Sequence, residues 1–299
     1  MKVTLTGATG LIGTKLVAEL KGRGDDVTVL SRNPVAASDK LKVEGIEWDP
    51  RSGPAPAKAL EGRDVVVHLA GEPVAQRWNA KSKKEIHDSR ERGTRNLVDG
   101  LRATDETPSA LISSSAVGYY GKHGDEPVPE STPPGDDFLA DVCVAWETEA
   151  MKAQESGLRV ALIRTGVVLD TDGGALEKML PFFKLGVGGP VAGGKQYMPW
   201  IHADDLVALY LAAIDGDWSG PFNASAPEPV TNKEFSKALG RAIKRPAFAP
   251  VPGFAVRILY GQMAEIVTEG QRAVPANALA NGFQFQHTDV DEALKSALQ

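Results

Sequence analysis

The chain is poor in the residues that build disulfide frameworks, metal clusters and membrane spans. Its 299 residues include one cysteine, Cys143, which excludes an internal disulfide and fits a reducing compartment. The five histidines are scattered and form no cluster with metal-ligand spacing, so we predict no metal site. No apolar run approaches the roughly 18 residues of a membrane span, and the N-terminus does not resemble a signal peptide. These absences predict a cytoplasmic protein without a membrane partner.

An excess of positive charge is also missing. The chain has 33 Lys and Arg residues against 39 Asp and Glu residues, a net charge of −6. Because nucleic-acid binding needs a basic surface, we expect no nucleic-acid partner. A hydrophobic content of 42% and a charged content of 24% are typical of a globular protein. The length allows one large α/β unit or two domains that share a cleft, as a monomer or a homodimer.

The most informative motif that is present lies in the first thirteen residues. A β-prone run, Val3–Thr6, leads into three glycines at G-x-x-G-x-x-G spacing, and apolar residues at helical spacing follow. Strand, glycine turn and helix N-terminus together form a cradle for a dinucleotide diphosphate, because glycines permit close backbone approach and the helix offers free N–H groups. A P-loop is excluded by the spacing. The predicted cofactor contacts from this motif are Gly7, Thr9, Gly10, Leu11, Ile12 and Gly13.

Strand-like and helix-like segments alternate through the first half of the chain. The predicted strands are Val3–Thr6, Val27–Ser31, Gly45–Asp49, Val65–Leu69, Ala110–Ser114 and Val160–Thr165, and the predicted helices include Leu11–Gly22, Lys81–Arg102 and Phe138–Ser156. This alternation predicts an α/β fold with a Rossmann doubly wound parallel sheet over residues 1–169. Glycine-rich and proline-rich loops follow. They predict a smaller substrate-binding region over residues 170–299 that partly returns to the sheet.

The end of the second predicted strand indicates which nucleotide binds. An NAD site places Asp or Glu there to bind the adenosine ribose, whereas this chain has Ser31-Arg32-Asn33. Arg32 can form a charge-assisted fork with a 2′-phosphate, with a hydrogen bond from Ser31, although an ordinary solvated arginine is the alternative. We therefore favour NADP(H) over NAD(H) as the cofactor. Small residues at another strand end predict a cofactor wall formed by Leu69, Ala70 and Gly71.

Five motifs together resemble the successive signatures of extended short-chain dehydrogenase/reductases. They are Thr6–Gly13, His68–Gly71, Ser113–Gly121, Arg164–Leu169 and Trp200–Leu206. The segment Gly188–His202 and the tail over residues 250–298 resemble an uncharacterised epimerase-like subfamily. The resemblance covers essentially the whole chain and implies a small-molecule substrate such as a nucleotide-sugar. From the fourth motif we add Arg164 to the predicted cofactor contacts.

The usual catalytic pair of this family is missing. Members that oxidise or reduce a substrate use Tyr-x-x-x-Lys, in which the lysine and the nicotinamide charge lower the pKa of the tyrosine. Alignment on Glu147 places Leu139 at the tyrosine position and Cys143 at the lysine position. Arg90 occupies the place where many members carry asparagine. Neither leucine nor a thiol replaces that pair directly.

Other residues must then carry any chemistry. Tyr119 should lie near the nicotinamide end of the cleft, and Arg90 or Lys195 can supply the cation that it needs. Glu72 follows the cofactor wall in the sequence. It is either a general base or substrate contact, or part of a loop salt bridge without a catalytic role. Cys143 as a nucleophile and His202 as a proton carrier are weaker alternatives. A helical cysteine is more often a buried packing residue, and a histidine at that place more often positions loops. The predicted catalytic set is Ser114, Ser115, Tyr119, Arg90 and Glu72.

Two functional hypotheses follow from these residues. The first is an NADP(H)-binding, epimerase/dehydratase-like or reductase-like enzyme acting on a sugar nucleotide or a related carbonyl compound. In that case Lys195-Gln196-Tyr197, inside a glycine-rich loop, is either a substrate lid or an ordinary surface loop. The second hypothesis is a non-catalytic redox sensor or partner-binding protein that retains the dinucleotide site.

Overall fold

The centre of the molecule is a seven-stranded parallel β-sheet. The computed structural model describes the backbone of residues 1–299 and every side chain except that of Leu259. The strands, in the order in which they lie across the sheet, are β11 (Gly220–Ala224), β7 (Arg159–Thr165), β5 (Ala110–Ala116), β4 (Val65–His68), β1 (Lys2–Thr6), β2 (Asp26–Ser31) and β3 (Glu44–Glu47). Their central residues are buried on both faces, which is why they read as continuous apolar runs. The predicted Rossmann sheet is confirmed.

The strand order reverses beside β1. Thr6, the last residue of β1, is in register with Leu30 of β2 on one side and with His68 of β4 on the other. The chain runs outward from β1 to β3 and then returns to β4, so a crevice opens at the carboxyl ends of β1 and β4. Ligands bind at such a switch point in doubly wound sheets, and the glycine turn begins there.

Helices cover both faces of the sheet. The helices are α1 (Leu11–Gly22), α2 (Pro34–Leu41), α3 (Ala80–Arg102), α4 (Phe138–Met151), α5 (Gly174–Lys184), α6 (Ala203–Asp215), α7 (Asn232–Ala242), α8 (Gly253–Tyr260), α9 (Glu265–Thr268), α10 (Ala276–Ala280) and α11 (Val290–Ala297). Apolar residues of α1 and α6 pack on one face, and those of α3 and α4 pack on the other. Within the described residues, no helix combines the length and apolarity needed to cross a membrane.

Element boundaries differ from the predictions by a few residues. Strand β5 continues two residues past the predicted end, to Ala116. The helix predicted over 138–156 is α-helical to Met151, and a 3₁₀ turn covers Lys152–Ser156 before Gly157, which has a φ of 83°. Such a left-handed glycine ends a helix because it lets the chain turn away without a Cβ clash.

The second half of the chain is tied to the first by short strand pairs. Strands β8 (Val167–Leu169) and β10 (Trp200–His202) pair in parallel, β9 (Tyr197–Met198) and β12 (Val230–Thr231) pair antiparallel, and β6 (Pro127–Val128) pairs with β13 (Arg272–Ala273). Helices α5, α7 and α11 enclose a separate apolar core. Because β11 joins the main sheet, the region after residue 169 contributes one strand to it. The boundary at 169/170 stays a prediction.

Candidate cofactor and active site

The three glycines of the turn have different structural roles. Gly7 has a φ of +67°, and a Cβ there would lie 2.6 Å from the carbonyl carbon of Leu69. A Cβ at Gly13 would lie 2.6 Å from the Cα atom of Ala8. Gly10 is exposed, and its nearest neighbour would be the Gly7 carbonyl oxygen at 3.3 Å. Gly7 and Gly13 are therefore needed for packing, whereas Gly10 leaves open space in front of α1.

The N-terminus of α1 fits a diphosphate group. Gly10 is the N-cap of this helix and supplies no side-chain acceptor for the first N–H groups. These groups carry a partial positive charge, and an anion can approach them without displacing a capping side chain. Thr9 and Gly10 are exposed, and Leu11 and Ile12 are half-buried around the same opening. The predicted contacts of the turn therefore lie together at the switch point.

Gly10→Ala separates binding from folding. We expect a stability loss of about 1 kcal/mol, since alanine is a poorer N-cap residue than glycine but can adopt the φ of −75° that Gly10 has. The added methyl group occupies the approach to α1, so dinucleotide affinity should fall about tenfold or more. Fluorescence titration and thermal unfolding measure the two effects. Gly7→Ala is the contrasting variant and should destabilise the fold. Unchanged dinucleotide affinity in Gly10→Ala contradicts the prediction that the glycine turn binds the diphosphate.

A buried histidine supports the cofactor wall from below. His68 is fully buried, with its Nδ1 atom 2.7 Å from the Thr6 hydroxyl and its Nε2 atom 3.0 Å from the Thr94 hydroxyl. The Thr6 hydroxyl also accepts a hydrogen bond from the backbone N–H of Ala70 at 3.2 Å. Burial lowers the pKa of His68 to about 3, so the ring is neutral. This network fixes the backbone of the predicted wall against β1.

The neutral His68 makes stability depend on pH. The unfolded histidine takes up a proton near pH 6.5, whereas the folded one does so only near pH 3. Stability from this group is therefore complete above pH 6.5 and is lost as the pH falls toward 3, at about 1.4 kcal/mol per pH unit. Between pH 7 and pH 5 the wild type should lose about 2 kcal/mol more than His68→Gln in denaturant unfolding. Equal losses in both proteins contradict this assignment.

The end of β2 presents positive charge to the expected adenosine end of the crevice. Arg32 is exposed, and the Ser31 hydroxyl accepts a hydrogen bond from the Asn33 N–H at 3.1 Å. Lys40 on α2 donates from Nζ to the carbonyl oxygen of Thr9 at 2.9 Å, so a second cation borders the glycine turn. The sequence did not indicate Lys40, because its position depends on how α2 folds back toward the turn.

Arg90 places a cation beside the cofactor wall. Its Cζ atom would lie 3.1 Å from a Cβ at Gly71, and its Nη1 atom donates to the carbonyl oxygen of Glu72 at 3.0 Å. The guanidinium lies over the ring of Trp146 at 4.9 Å. Burial lowers the pKa of Arg90, and the negative charge of Glu72 opposes that shift. The cation therefore lies against α4, the helix that carries Cys143 at the position where the family resemblance implies lysine.

The residues at the missing Tyr and Lys positions are inert. Cys143 is buried, and its Sγ atom lies 3.6 Å from the carbonyl oxygen of Ala116. Burial raises the pKa of this thiol to about 12, so it stays protonated near neutral pH. Leu139 packs against Gly118, where an added Cβ would meet it at 3.3 Å. Neither position can transfer a proton at neutral pH.

The two adjacent serines face opposite sides of β5. The Ser114 hydroxyl is 2.6 Å from the hydroxyl of Tyr210 on α6. The Ser115 hydroxyl donates to the Glu147 carboxylate on α4 at 2.6 Å. The structure thus brings Ser115, and not Ser114, to the side of the sheet that holds Arg90 and Cys143. A catalytic role for either serine stays a prediction.

Arg164, a predicted cofactor contact, lies in the protein interior. This residue is 3% exposed and forms a two-pronged ion pair with Glu147, at 2.8 Å from Nε and 2.7 Å from Nη2. Its Nη1 atom donates to the hydroxyl of Tyr120 at 2.9 Å. Burial alone lowers the pKa of Arg164, but the bonds to Glu147 raise it overall. The guanidinium is engaged inside the core, and a cofactor contact by Arg164 stays a prediction.

Tyr119 and Tyr120 differ in accessibility. Tyr120 is buried, donates to Asn223 at 2.6 Å, and has a pKa that burial raises to about 12. Tyr119 is half-buried, with its ring 3.5 Å from the Cζ atom of Arg164 and edge-on to Tyr120. Within the described residues, no hydrogen bond engages the Tyr119 hydroxyl. Tyr119 keeps a free hydroxyl while its ring is held in place.

The C-terminal tail is bonded to the predicted lid loop. Gln196 donates from Nε2 to the carbonyl oxygen of Val267 at 2.7 Å. The guanidinium of Arg272 lies 5.5 Å from the ring centroid of Tyr197. A Cβ at Gly270 would lie 2.1 Å from the carbonyl oxygen of Tyr197, so the two backbones touch. Any movement of the loop that contains Lys195 must therefore involve the tail.

Comparison with protein families agrees with the arrangement of crevice, glycine turn and cofactor wall. A model of the NAD dependent epimerase/dehydratase family matches residues 3–224. The chain belongs to this family. A domain of unknown function (DUF1731) matches residues 251–297, nearly the same span as the tail that the sequence separates as subfamily-specific. The epimerase-like resemblance seen in the sequence is confirmed.

Relatives within the epimerase/dehydratase family align along the whole chain. The chloroplastic epimerase family protein SDR39U1 homolog of Arabidopsis thaliana is 41% identical over 311 residues, covering 100% of this chain and 87% of the relative. Epimerase family protein Mb2239 of Mycobacterium bovis is 43% identical over 295 residues, covering 98% and 96%. Human epimerase family protein SDR39U1 (isoform2), solved with NADPH, superposes with a TM-score of 0.89 at 34% identity, covering 99% of both chains. Because one relative is chloroplastic, the cytoplasmic location stays a prediction.

Proposed function

We propose that this chain binds NADP(H) and uses it to reduce the carbonyl group of a small-molecule substrate, such as a sugar nucleotide or a related compound. The observation that carries the proposal is the position of Arg90. Its cation lies beside Gly71 and against α4, which carries Cys143 where relatives with ordinary chemistry carry lysine. The family thus supplies the cofactor class, and NADPH as the hydride donor makes the proposed reaction a reduction.

Three features support NADP(H) as the cofactor. The human relative was solved with NADPH. The end of β2 carries Ser31 and Arg32 in place of the acidic residue that suits an NAD ribose. Lys40 adds a second cation at the same end of the crevice, through its bond to Thr9. Two cations and a hydroxyl suit a 2′-phosphate, and the open space at Gly10 suits the diphosphate.

The groups around the reacting end support hydride transfer without the usual Tyr/Lys pair. Leu139 has no group that transfers a proton, and the Cys143 thiol, with a pKa of about 12, stays protonated. Hydride transfer to a carbonyl needs a cation that stabilises the developing alkoxide and a proton donor. Bound NADPH supplies the hydride in this direction.

Individual residues then have distinct roles. Arg90 polarises the carbonyl oxygen and stabilises its negative charge as the carbonyl carbon receives the hydride. The free hydroxyl of Tyr119 donates a proton to that oxygen and is reprotonated from solvent, which completes the alcohol. Glu72, whose carbonyl oxygen holds Arg90, positions the guanidinium. Ser115 is held by Glu147 on the same side of the sheet, where it is buried and fixes the end of β5.

Substitution of Arg90 tests this role. Arg90→Met should lower kcat/KM by about 10²–10³-fold, the usual cost of losing one group that stabilises an oxyanion. Its NADPH affinity should change less than about threefold, since the diphosphate and 2′-phosphate contacts are intact. Arg90→Lys keeps the charge and should be intermediate. Arg92→Met, an exposed arginine on the same helix, is the matched control.

Two results contradict the proposal in different ways. Equal turnover in Arg90→Met and the wild type removes Arg90 from the chemistry. Tight NADPH binding by the wild type without turnover, across a broad panel of carbonyl compounds and sugar nucleotides, supports the non-catalytic redox sensor instead. The inert residues at positions 139 and 143 are the observation that favours this second function.

A further inference from the structure

Three side chains of metal-ligand type meet at the start of α6, outside the cofactor site. His202 and Asp204 lie at the N-terminus of this helix, and His287 comes from the C-terminal tail. One ligand atom from each residue lies within 4.8 Å of the others. We propose that His202, Asp204 and His287 bind one divalent transition-metal ion of the Zn²⁺ type, which joins the tail to α6.

The geometry of the two histidines suits a shared ion. Their rings stack at a centroid distance of 3.8 Å with an interplanar angle of 26°, so the two imidazoles lie together beside α6. The Nδ1 atom of His202 is 3.5 Å from the Asp204 carboxylate. Imidazole nitrogens with one carboxylate oxygen are a ligand set typical of Zn²⁺ and its neighbours, with a fourth position open to water.

His202 carries a second sign of a missing partner. The residue is 5% exposed, and its Nε2 atom is buried with no hydrogen-bond partner in the described part of the chain. Its Nδ1 atom is 3.2 Å from the Asp204 backbone N–H, which it accepts. Buried polar atoms without partners are uncommon in folded proteins. Because Nδ1 accepts the bond from the Asp204 N–H, the neutral ring carries its proton on Nε2, so the Nδ1 lone pair, which also faces the Asp204 carboxylate at 3.5 Å, is the one that an ion takes.

The surrounding charge attracts a cation. The negative charges of the Asp170, Asp204 and Asp205 carboxylates all favour a positive charge at His202. The neighbouring cation, Lys15, is 2.9 Å from Asp170 and is neutralised by it.

The site is formed by backbone contacts that need no ion. The two oxygens of the Asp205 carboxylate accept the N–H groups of Gln286 at 2.8 Å and His287 at 2.9 Å. These bonds hold the tail segment that carries His287 against α6. A metal ion therefore meets preorganised ligands and adds a direct link between the tail and the helix.

Metal titration of the full-length chain tests the site. Protein freed of metal by a chelator and dialysed is titrated with Zn²⁺ by calorimetry and with Co²⁺ by visible absorption. We expect one ion per chain, cobalt bands typical of four-coordinate nitrogen and oxygen ligation, and a melting temperature raised by about 2 °C or more at saturating Zn²⁺. The buried Cys143, a thiol with a pKa of about 12, does not compete for the ion.

Variants identify the ligands without removing the fold. His287→Phe keeps a ring stacked on His202 but removes the nitrogen, and Asp204→Asn removes the carboxylate. Each should weaken Zn²⁺ binding by about tenfold or more, with melting of the metal-free protein little changed. His87→Phe, which alters a half-buried His87–Glu91 pair on α3, is the control and should bind as the wild type does. No bound Zn²⁺ in the wild type, or equal affinity in His287→Phe, overturns the proposal.

Discussion

Replacement of Arg164 by methionine should lower the free energy of unfolding by about 3–5 kcal/mol, the largest stability effect that we expect from one substitution. The change leaves the Glu147 carboxylate buried with one remaining partner, the hydroxyl of Ser115. It also removes the guanidinium that stacks on the Tyr119 ring and that donates a hydrogen bond to the Tyr120 hydroxyl. Guanidinium chloride unfolding of the purified proteins measures the loss.

A double variant distinguishes a lost ion pair from a damaged core. Arg164→Met combined with Glu147→Leu removes both buried charges, and we expect it to regain most of the stability lost in the single variant. Replacement of a whole buried ion pair by apolar groups is often neutral, whereas removal of one partner leaves an uncompensated charge. A loss below about 1 kcal/mol in Arg164→Met contradicts the buried-network assignment. A double variant no more stable than the single variant attributes the loss to packing.

Substitution of Arg32 by aspartate should lower the affinity for NADPH relative to NADH by about 10²–10³-fold. The substitution removes the two charge-assisted hydrogen bonds of the proposed phosphate fork, and the new carboxylate repels the 2′-phosphate. The same carboxylate can accept hydrogen bonds from the ribose hydroxyls of NADH, so NADH binding should be unchanged or tighter. Fluorescence titration of each cofactor with each protein gives the ratio.

The control for this change carries the same charge reversal elsewhere. Arg92→Asp alters an exposed arginine on α3 and should leave the NADPH-to-NADH preference as in the wild type. An equal loss of both cofactors in Arg32→Asp contradicts the phosphate fork and indicates general damage to the pocket. A smaller remaining preference for NADPH in Arg32→Asp is expected from Lys40, and Lys40→Gln should remove it.

The sequence predicts the fold well because the deciding signals are local. Buried strands of the doubly wound sheet are continuous β-branched runs, and the glycine turn between β1 and α1 combines a spacing, a strand and a helix within thirteen residues. The residues that the sequence assigned wrongly lie at the ends of helices and strands. The last turn of the predicted helix, after Met151, is 3₁₀ and not α-helical. The sequence did not predict this change, because nothing in the composition of the segment distinguishes an α-helical turn from a 3₁₀ turn.

The site is less predictable, because its contacts join distant segments. Arg164 fitted a motif, yet its partner is Glu147 on a neighbouring helix, and that pairing decides which way the guanidinium points. Lys40 reaches Thr9 across 31 residues, and the tail reaches the lid loop across 71. The alternation of β5 does indicate that Ser114 and Ser115 face opposite sides, but it does not indicate which side holds the cation.

The proposed metal ligands were not predicted from the sequence for the same reason, since they too come from distant segments. The sequence predicts no metal site, because His202 and His287 are separated by more than eighty residues and match no spacing pattern. Only the folding of the tail against α6, through the Asp205 carboxylate, brings them into one cluster. A ligand set assembled from two segments of the chain is visible once the tertiary contacts are known.

Transfer of deuterium from NADPH labelled at nicotinamide C4 tests the central claim most directly. The wild type is incubated with labelled cofactor and a panel of carbonyl compounds and sugar nucleotides, and products are analysed by mass spectrometry. We predict a deuterium label in an alcohol product of the wild type, with formation about 10²–10³-fold slower in Arg90→Met. Saturated NADPH binding with no labelled product from any compound contradicts a reductase and leaves a protein that binds the cofactor without turnover.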